Sequence, residues 1–231
     1  MIKIFLEGNY LISMKYLRSF IIMKFKIGII DLKLNNTFSV LNACLNKDMD
    51  TRFIDKTDDF NGLDALILPG VGSYHKAMYR LNSKKLTDPI INFINSGKPF
   101  LGICLGMQLL FEKSSEFVNT KGLSVLKGSV DSLISKKKNI TIPHIGMNKI
   151  SIKKKTVDKK INEYLEDRKY YFNHSFIVNV DDTSIITSTT SYEGVDFVSS
   201  IKSKNILATQ FHPELSYNHG IKIFEFLKNQ S

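Results

Sequence analysis

The 231-residue sequence holds two cysteines, Cys44 and Cys104, and no tryptophan. So few cysteines exclude a disulfide framework and suit a reduced, cytoplasmic setting. No apolar run reaches the ~18 residues that mark a membrane span, so no membrane association is expected. The sequence also lacks internal repeats, low-complexity tracts and linkers, which leaves one domain as the expected count. The first 22 residues mix apolar side chains with Lys3, Glu7, Lys15 and Arg18, and no small-residue cleavage site follows them. Residues 1–22 are read as an N-terminal extension or a misassigned start, and residues 23–231 as the folded domain.

What is present is ordinary for a globular chain: 43% hydrophobic and 23% charged residues. Lys and Arg outnumber Asp and Glu by 32 to 22, a formal charge of +10. Such a surplus suits nucleic acid, a phosphorylated substrate, an acidic partner or simply a solvated lysine-rich face. The clusters Lys136-Lys137-Lys138 and Lys153-Lys154-Lys155 carry no interleaved aromatics, so nucleic-acid binding is not expected.

Short apolar runs alternate with helix-length segments from Lys26 onward. Ile27–Ile30, Ala65–Leu68 and Pro99–Ile103 read as buried strands. Ser39–Leu45, the stretch from Met78 to about Asn95, and the stretch from Cys104 through Phe111 read as helices. This alternation predicts an α/β fold: an open, mostly parallel twisted sheet with helices on both faces. The second half differs. Residues 125–134, 150–152, 170–180, 185–189, 195–201 and 206–211 read as additional, largely antiparallel strands, and Gly220–Leu227 as a closing helix.

Gly102-Ile103-Cys104-Leu105-Gly106 places small residues two before and two after a cysteine, between a strand and a helix. Glycines in that frame permit the sharp turn that lifts a nucleophile out of the sheet. The helix dipole would favour a thiolate there. A buried structural cysteine is the commoner fate of the residue type, and Cys44, in an amphipathic helix without a glycine frame, fits that description. A thiolate needs a base with an orienting acid. His212, two residues before Glu214 and directly after an apolar strand, offers both. His144 and His174 have no orienting acid beside them and are assigned to core or interface roles.

Together with Leu68-Pro69-Gly70-Val71-Gly72-Ser73, Ile142-Pro143-His144-Ile145-Gly146 and Gln210-Phe211-His212-Pro213-Glu214, the cysteine block Pro99–Glu112 resembles the class I, triad-type glutamine amidotransferases, over roughly residues 26–228. Within them the sequence is most similar to the glutaminase subunits of imidazole glycerol phosphate synthases. The resemblance implies a flavodoxin-like sheet and a reaction without metal or cofactor. Cys104 would attack the glutamine amide, His212 would carry the proton, and Glu214 would orient His212. Backbone N–H groups of Leu105 and of Gly70-Val71 would hold the oxyanion, and Gly72, Gln108 and Ser175 would contact glutamine. Asn36, Pro143 and Met147 would lie at the partner interface. Ammonia would pass to a (β/α)8 cyclase in histidine biosynthesis. The sequence departs from the family at Asp31-Leu32-Lys33-Leu34-Asn35-Asn36, where two glycines are missing, and at Met147, Asn173, Phe176 and Leu215. The departures leave a second destination open, a synthase that amidates a nucleotide-linked surface sugar. A third reading is another elbow-cysteine hydrolase of the same fold.

Overall fold

A computed structural model describes residues 25–33, 36–47, 49–153, 161 and 163–228. The expected extension, residues 1–22, lies outside them. The first half runs β1 (Lys26–Ile30), α1 (Thr37–Leu45), β2 (Asp50–Ile54), β3 (Ala65–Leu68), α2 (Tyr74–Ser83), α3 (Thr87–Asn95), β4 (Phe100–Ile103) and α4 (Leu105–Gln108). The second half holds β5 (Lys113–Ser114), β6 (Thr120–Lys121), β7 (Gly128–Ser132), β8 (His144–Lys149), β9 (Ser151–Ile152), β10 (Lys169–His174), β11 (Phe176–Val180), β12 (Ile186–Tyr192), β13 (Val195–Ser203) and β14 (Ile206–Thr209). It ends in α5 (Tyr217–Ile221) and a 3-10 helix, Lys222–Leu227.

The main sheet has eight strands in the order β2-β1-β3-β4-β14-β13-β12-β9. The first five are mutually parallel, the flavodoxin-like order, and the last three add antiparallel pairings. Period-two alternation splits the core into two halves. Ile27, Ile29, Ala65, Ile67, Leu101, Ile103 and Leu207 face α1 and the C-terminal 3-10 helix. Ile30, Leu66, Leu68, Phe100 and Ala208 face α2 and α3. Both faces are therefore covered, and this is why the parallel strands read as unbroken apolar runs. Two smaller sheets flank the main one, a ribbon of β8 and β10 and a four-stranded sheet β11-β7-β5-β6.

Several local expectations change. The helix expected to run from Met78 to Asn95 is two helices. Leu86 N–H donates to Leu81 C=O at 2.8 Å and Lys85 takes φ 56°, which ends α2. Pro89 then sits in the first turn of α3, where its missing N–H costs nothing; within one continuous helix it would break the ladder. The helix after Cys104 lasts only one turn, so its dipole adds little at the nucleophile. The expected strand 170–180 is two, β10 and β11, parted at Ser175. The expected C-terminal helix is mostly 3-10. Strand β2 escaped the sequence reading because its edge position leaves only Ile54 fully buried.

Candidate active site

Cys104 and His212 emerge from β4 and β14, adjacent parallel strands, at their carboxyl ends. Open α/β sheets bind ligands at that end. Cys104 takes φ 52° and ψ −105°, a conformation L-residues avoid, and its N–H donates to Thr209 C=O at 2.7 Å. The flanking glycines make this turn possible. A Cβ on Gly106 would lie 1.7 Å from the Leu68 carbonyl oxygen, and one on Gly102 would lie 3.1 Å from the Gly106 oxygen. No side chain fits at Gly106.

The sequence after β14 is held by two hydrogen bonds to β10 and one within itself. His212 N–H donates to Tyr171 C=O at 2.8 Å, Tyr171 N–H donates to Ser216 Oγ at 2.9 Å, and Ser216 O–H donates to His212 C=O at 2.5 Å. His212 Nδ1 lies 2.8 Å from Glu214 Oε1, and both side chains are essentially inaccessible to water. Burial opposes a charged imidazole; the Cys104 sulfur, and after it the Glu214 carboxylate, outweigh burial and hold the His212 pKa well above its ordinary value. The sulfur acts on the ring electrostatically, while Nε2 makes no hydrogen bond among the described residues. Asn36, expected at a partner interface, is instead buried, and its Nδ2 donates to Glu214 Oε1 at 3.3 Å.

A cavity of about 360 Å³ opens beside Cys104, lined among others by Gly72, Gln108, Ser175, Glu116 and Lys76. Pro143, expected at the interface, also lines it. Gly72 takes φ 98°. Met147 does not reach this cavity; it is half-buried on β8 beside Arg168, Tyr217 and His219. The expected oxyanion donors are arranged differently from the expectation. Leu105 N–H is engaged, donating to Gly70 C=O at 3.3 Å, so a carbonyl stands where an oxyanion would be received. The half-buried Val71 follows in the same segment.

The sequence reading missed four residues here. Glu116 accepts from Tyr74 N–H at 2.6 Å, and burial raises its pKa. Lys76 lines the same cavity. Cys104 Sγ lies 3.8 Å from Asn173 C=O, and Gln210 Nε2 lies 3.6 Å from the same sulfur. Gln210 stands in the quoted His212 block and Asn173 among the departures from the family; Glu116 and Lys76 carry no signal.

His144 and His174 form a second buried histidine site. His174 donates from Nδ1 to Phe176 C=O at 3.0 Å, which leaves its Nε2 to accept from His144 Nδ1 at 3.1 Å. Asn148 Nδ2 then approaches His144 Nε2 at 3.5 Å. Burial lowers the His144 pKa to about 4, and burial together with His144 lowers that of His174 to about 3. Among the described residues no His, Cys, Asp or Glu cluster could hold a metal ion.

The class-I glutamine amidotransferase family profile matches residues 29–228. The imidazole glycerol phosphate synthase subunit HisH of Pyrococcus furiosus is 43% identical over 198 residues, covering 85% of this chain and 94% of that protein. The HisH subunit of Aquifex aeolicus is 45% identical over 169 residues, covering 73% and 78%. Among solved structures, PurLQS from Thermotoga maritima has the same fold, with a TM-score of 0.66 at 18% identity over 90% of this chain and 99% of that one. On the profile match and these identities, the chain belongs to the class-I glutamine amidotransferases.

Proposed function

We propose that the chain is the glutaminase subunit of an imidazole glycerol phosphate synthase, releasing ammonia from glutamine for a partner subunit. The observation that carries the reading is the juxtaposition of a strained, glycine-framed Cys104 on the cavity wall with a buried His212–Glu214 pair just past the neighbouring strand, close enough for the sulfur to act on the imidazole. The named relatives support the pathway.

Cys104 Sγ attacks the side-chain amide carbon of glutamine. His212, held as the imidazolium between the sulfur and Glu214, gives its proton to the departing nitrogen, and ammonia leaves. A thioester to Cys104 remains. Water, losing a proton to His212, then attacks the thioester, and glutamate departs as the sulfur recovers its charge. Glu214 keeps Nδ1 protonated and the ring in place throughout. The opposite charges of Glu116 and Lys76 match the α-ammonium and α-carboxylate of glutamine, while Gly72, Gln108 and Ser175 line the rest of the cavity.

The oxyanion needs N–H donors from Leu105 and the Gly70-Val71 peptide. A turn of that peptide would release Leu105 N–H and bring a second donor inward; each donor is worth about 3 kcal/mol in the transition state. The Gly70 carbonyl on Leu105 N–H supports a reading in which the subunit rests until its partner docks. The partner is a (β/α)8 cyclase. Its docking face includes Met147 and the exposed Ile145, Leu215 and Tyr217, the last two on either side of Ser216, next to the triad.

The test measures glutamate release from glutamine by the chain alone, with the histidine-pathway cyclase, and with the cyclase plus its phosphoribulosyl aminoimidazole carboxamide nucleotide. Slow release alone and at least about a hundredfold stimulation by cyclase and nucleotide, matching one recovered oxyanion donor, are expected. Cys104→Ala should release none. Stimulation by a sugar-amidating synthase instead would overturn the pathway, and activity in Cys104→Ala would overturn the nucleophile.

A further inference from the structure

We infer that Gln210 is a further catalytic residue, a buried amide that donates to the Cys104 sulfur and is locked in that orientation through Gln108. The inference rests on the glutaminase reading above. Gln210 stands just past β14 and is wholly inaccessible to water. Its backbone is pinned by donation from its N–H to Ser199 C=O at 2.9 Å on β13. Its side chain lies between Gln108, whose Nε2 is 3.1 Å from Gln210 Oε1, and Cys104, whose Sγ is 3.6 Å from Gln210 Nε2.

A primary amide has a donor end and an acceptor end, and either can in principle face a sulfur. Here a backbone atom makes the choice. The Phe176 carbonyl can only accept, and it takes a hydrogen bond from Gln108 Nε2 at 2.9 Å. That fixes the NH₂ end of Gln108, which also reaches Gln210 Oε1. The Gln210 NH₂ end is therefore the one turned toward Cys104. The sulfur has complementary neighbours: Asn173 C=O can accept from the thiol, and Gln210 N–H supports the charged sulfur before attack and again as the thioester breaks. The same chain of amides uses only Gln108 Nε2, so that among the described residues Gln108, which lines the substrate cavity, keeps its Oε1 as an acceptor for glutamine.

A packing role would make no demand on polarity, and methionine, of similar length, would serve. The test labels the full chain with iodoacetamide over a pH series and reads Cys104 and Cys44 peptides separately. Cys44, buried with its thiol pushed up to about 12 by burial, is the internal control. Gln210→Met is expected to slow Cys104 alkylation about tenfold at pH 7, the effect of losing one hydrogen bond to a charged group. It should also raise the pH of half-plateau rate by about one unit. Glutaminase kcat with the synthase partner should fall about tenfold and KM change less than about threefold. Gln210→Glu keeps the shape and the acceptor for Gln108 but sets a carboxylate against the sulfur. Its alkylation should be slower still at neutral pH and recover relative to wild type as pH falls. An unchanged pH profile and kcat in Gln210→Met would overturn the inference. Should that variant not fold, wild-type-like alkylation of Gln210→Glu at neutral pH would overturn it. A diazoketone analogue of glutamine separates the two readings: if it leaves wild-type Cys104 unlabelled, the glutaminase reading fails first.

Discussion

Two buried histidine sites stand side by side on β10 and its neighbours, and their charges are driven in opposite directions. His212 pairs with a carboxylate and faces a sulfur, and it is held protonated. His144 stacks between Phe172, at 4.8 Å, and Tyr192, at 4.0 Å, and shares one proton-ordered chain with His174 and Asn148; both imidazoles are held neutral. Burial penalises charge at each site alike. The neighbours decide: where acidic groups outweigh burial the ring can serve as proton carrier, and where only neutral donors and aromatics surround it the ring becomes a structural polar link. The sites also act on each other, since the His212 charge further discourages protonation of His174.

The contrast can be broken most strongly at its acidic end. Glu214→Gln should lower glutaminase kcat by about 10³-fold, because the amide holds the ring but neither charges it nor fixes its tautomer. Steady-state kinetics with the synthase partner would check this, and a loss below tenfold would mean the carboxylate is not what makes His212 different. The neutral pair is tested by pH. In the unfolded chain both rings protonate near 6.5; in the folded protein they resist until about 4 and about 3. Their contribution is present above pH 6.5 and lost as pH falls, whereas the raised His212 contributes below 6.5 and loses its effect as pH rises through its folded pKa. Urea unfolding at pH 7 and pH 5 should therefore differ by about 4 kcal/mol from this pair. His144→Gln, which can still donate to His174, should remove about half of that difference. The finest adjustment lies at Asn36. Losing its hydrogen bond to Glu214 should cost about 1 kcal/mol, read as roughly a fivefold fall in kcat for Asn36→Ala with unchanged secondary structure by circular dichroism.

Much of this arrangement was legible in the sequence because it is encoded locally. Fully buried strands read as apolar runs, the elbow as two glycines around Cys104, and the base with its acid as His212-Pro213-Glu214. Contacts that join distant segments were not. Asn36 meets Glu214 across 178 positions, and Gln210 meets Cys104 across 106. No periodicity announces such a meeting, so Asn36 was placed at an interface and Gln210 received no role. The one-turn length of α4 and the engagement of Leu105 N–H by Gly70 depend on how single peptides are turned, which residue types alone do not specify. Strand β2 was hidden for a different reason: at the sheet edge its side chains are half-exposed, and the apolar signal thins out.

Strand β10 has consequences beyond the residues it contributes. It supplies the carbonyl that holds His212 N–H, the carbonyl beside the Cys104 sulfur, and His174 on the cavity wall. Among the described residues its only sheet partner is β8, in a two-stranded ribbon. β8 continues through Ile150 into β9 of the main sheet, and Asn148 donates from Nδ2 to Ser191 C=O on β12 at 3.0 Å, so the ribbon that carries these contacts is anchored to the sheet from which Cys104 emerges. One strand therefore sets the spacing of parts that come from distant stretches of the sequence.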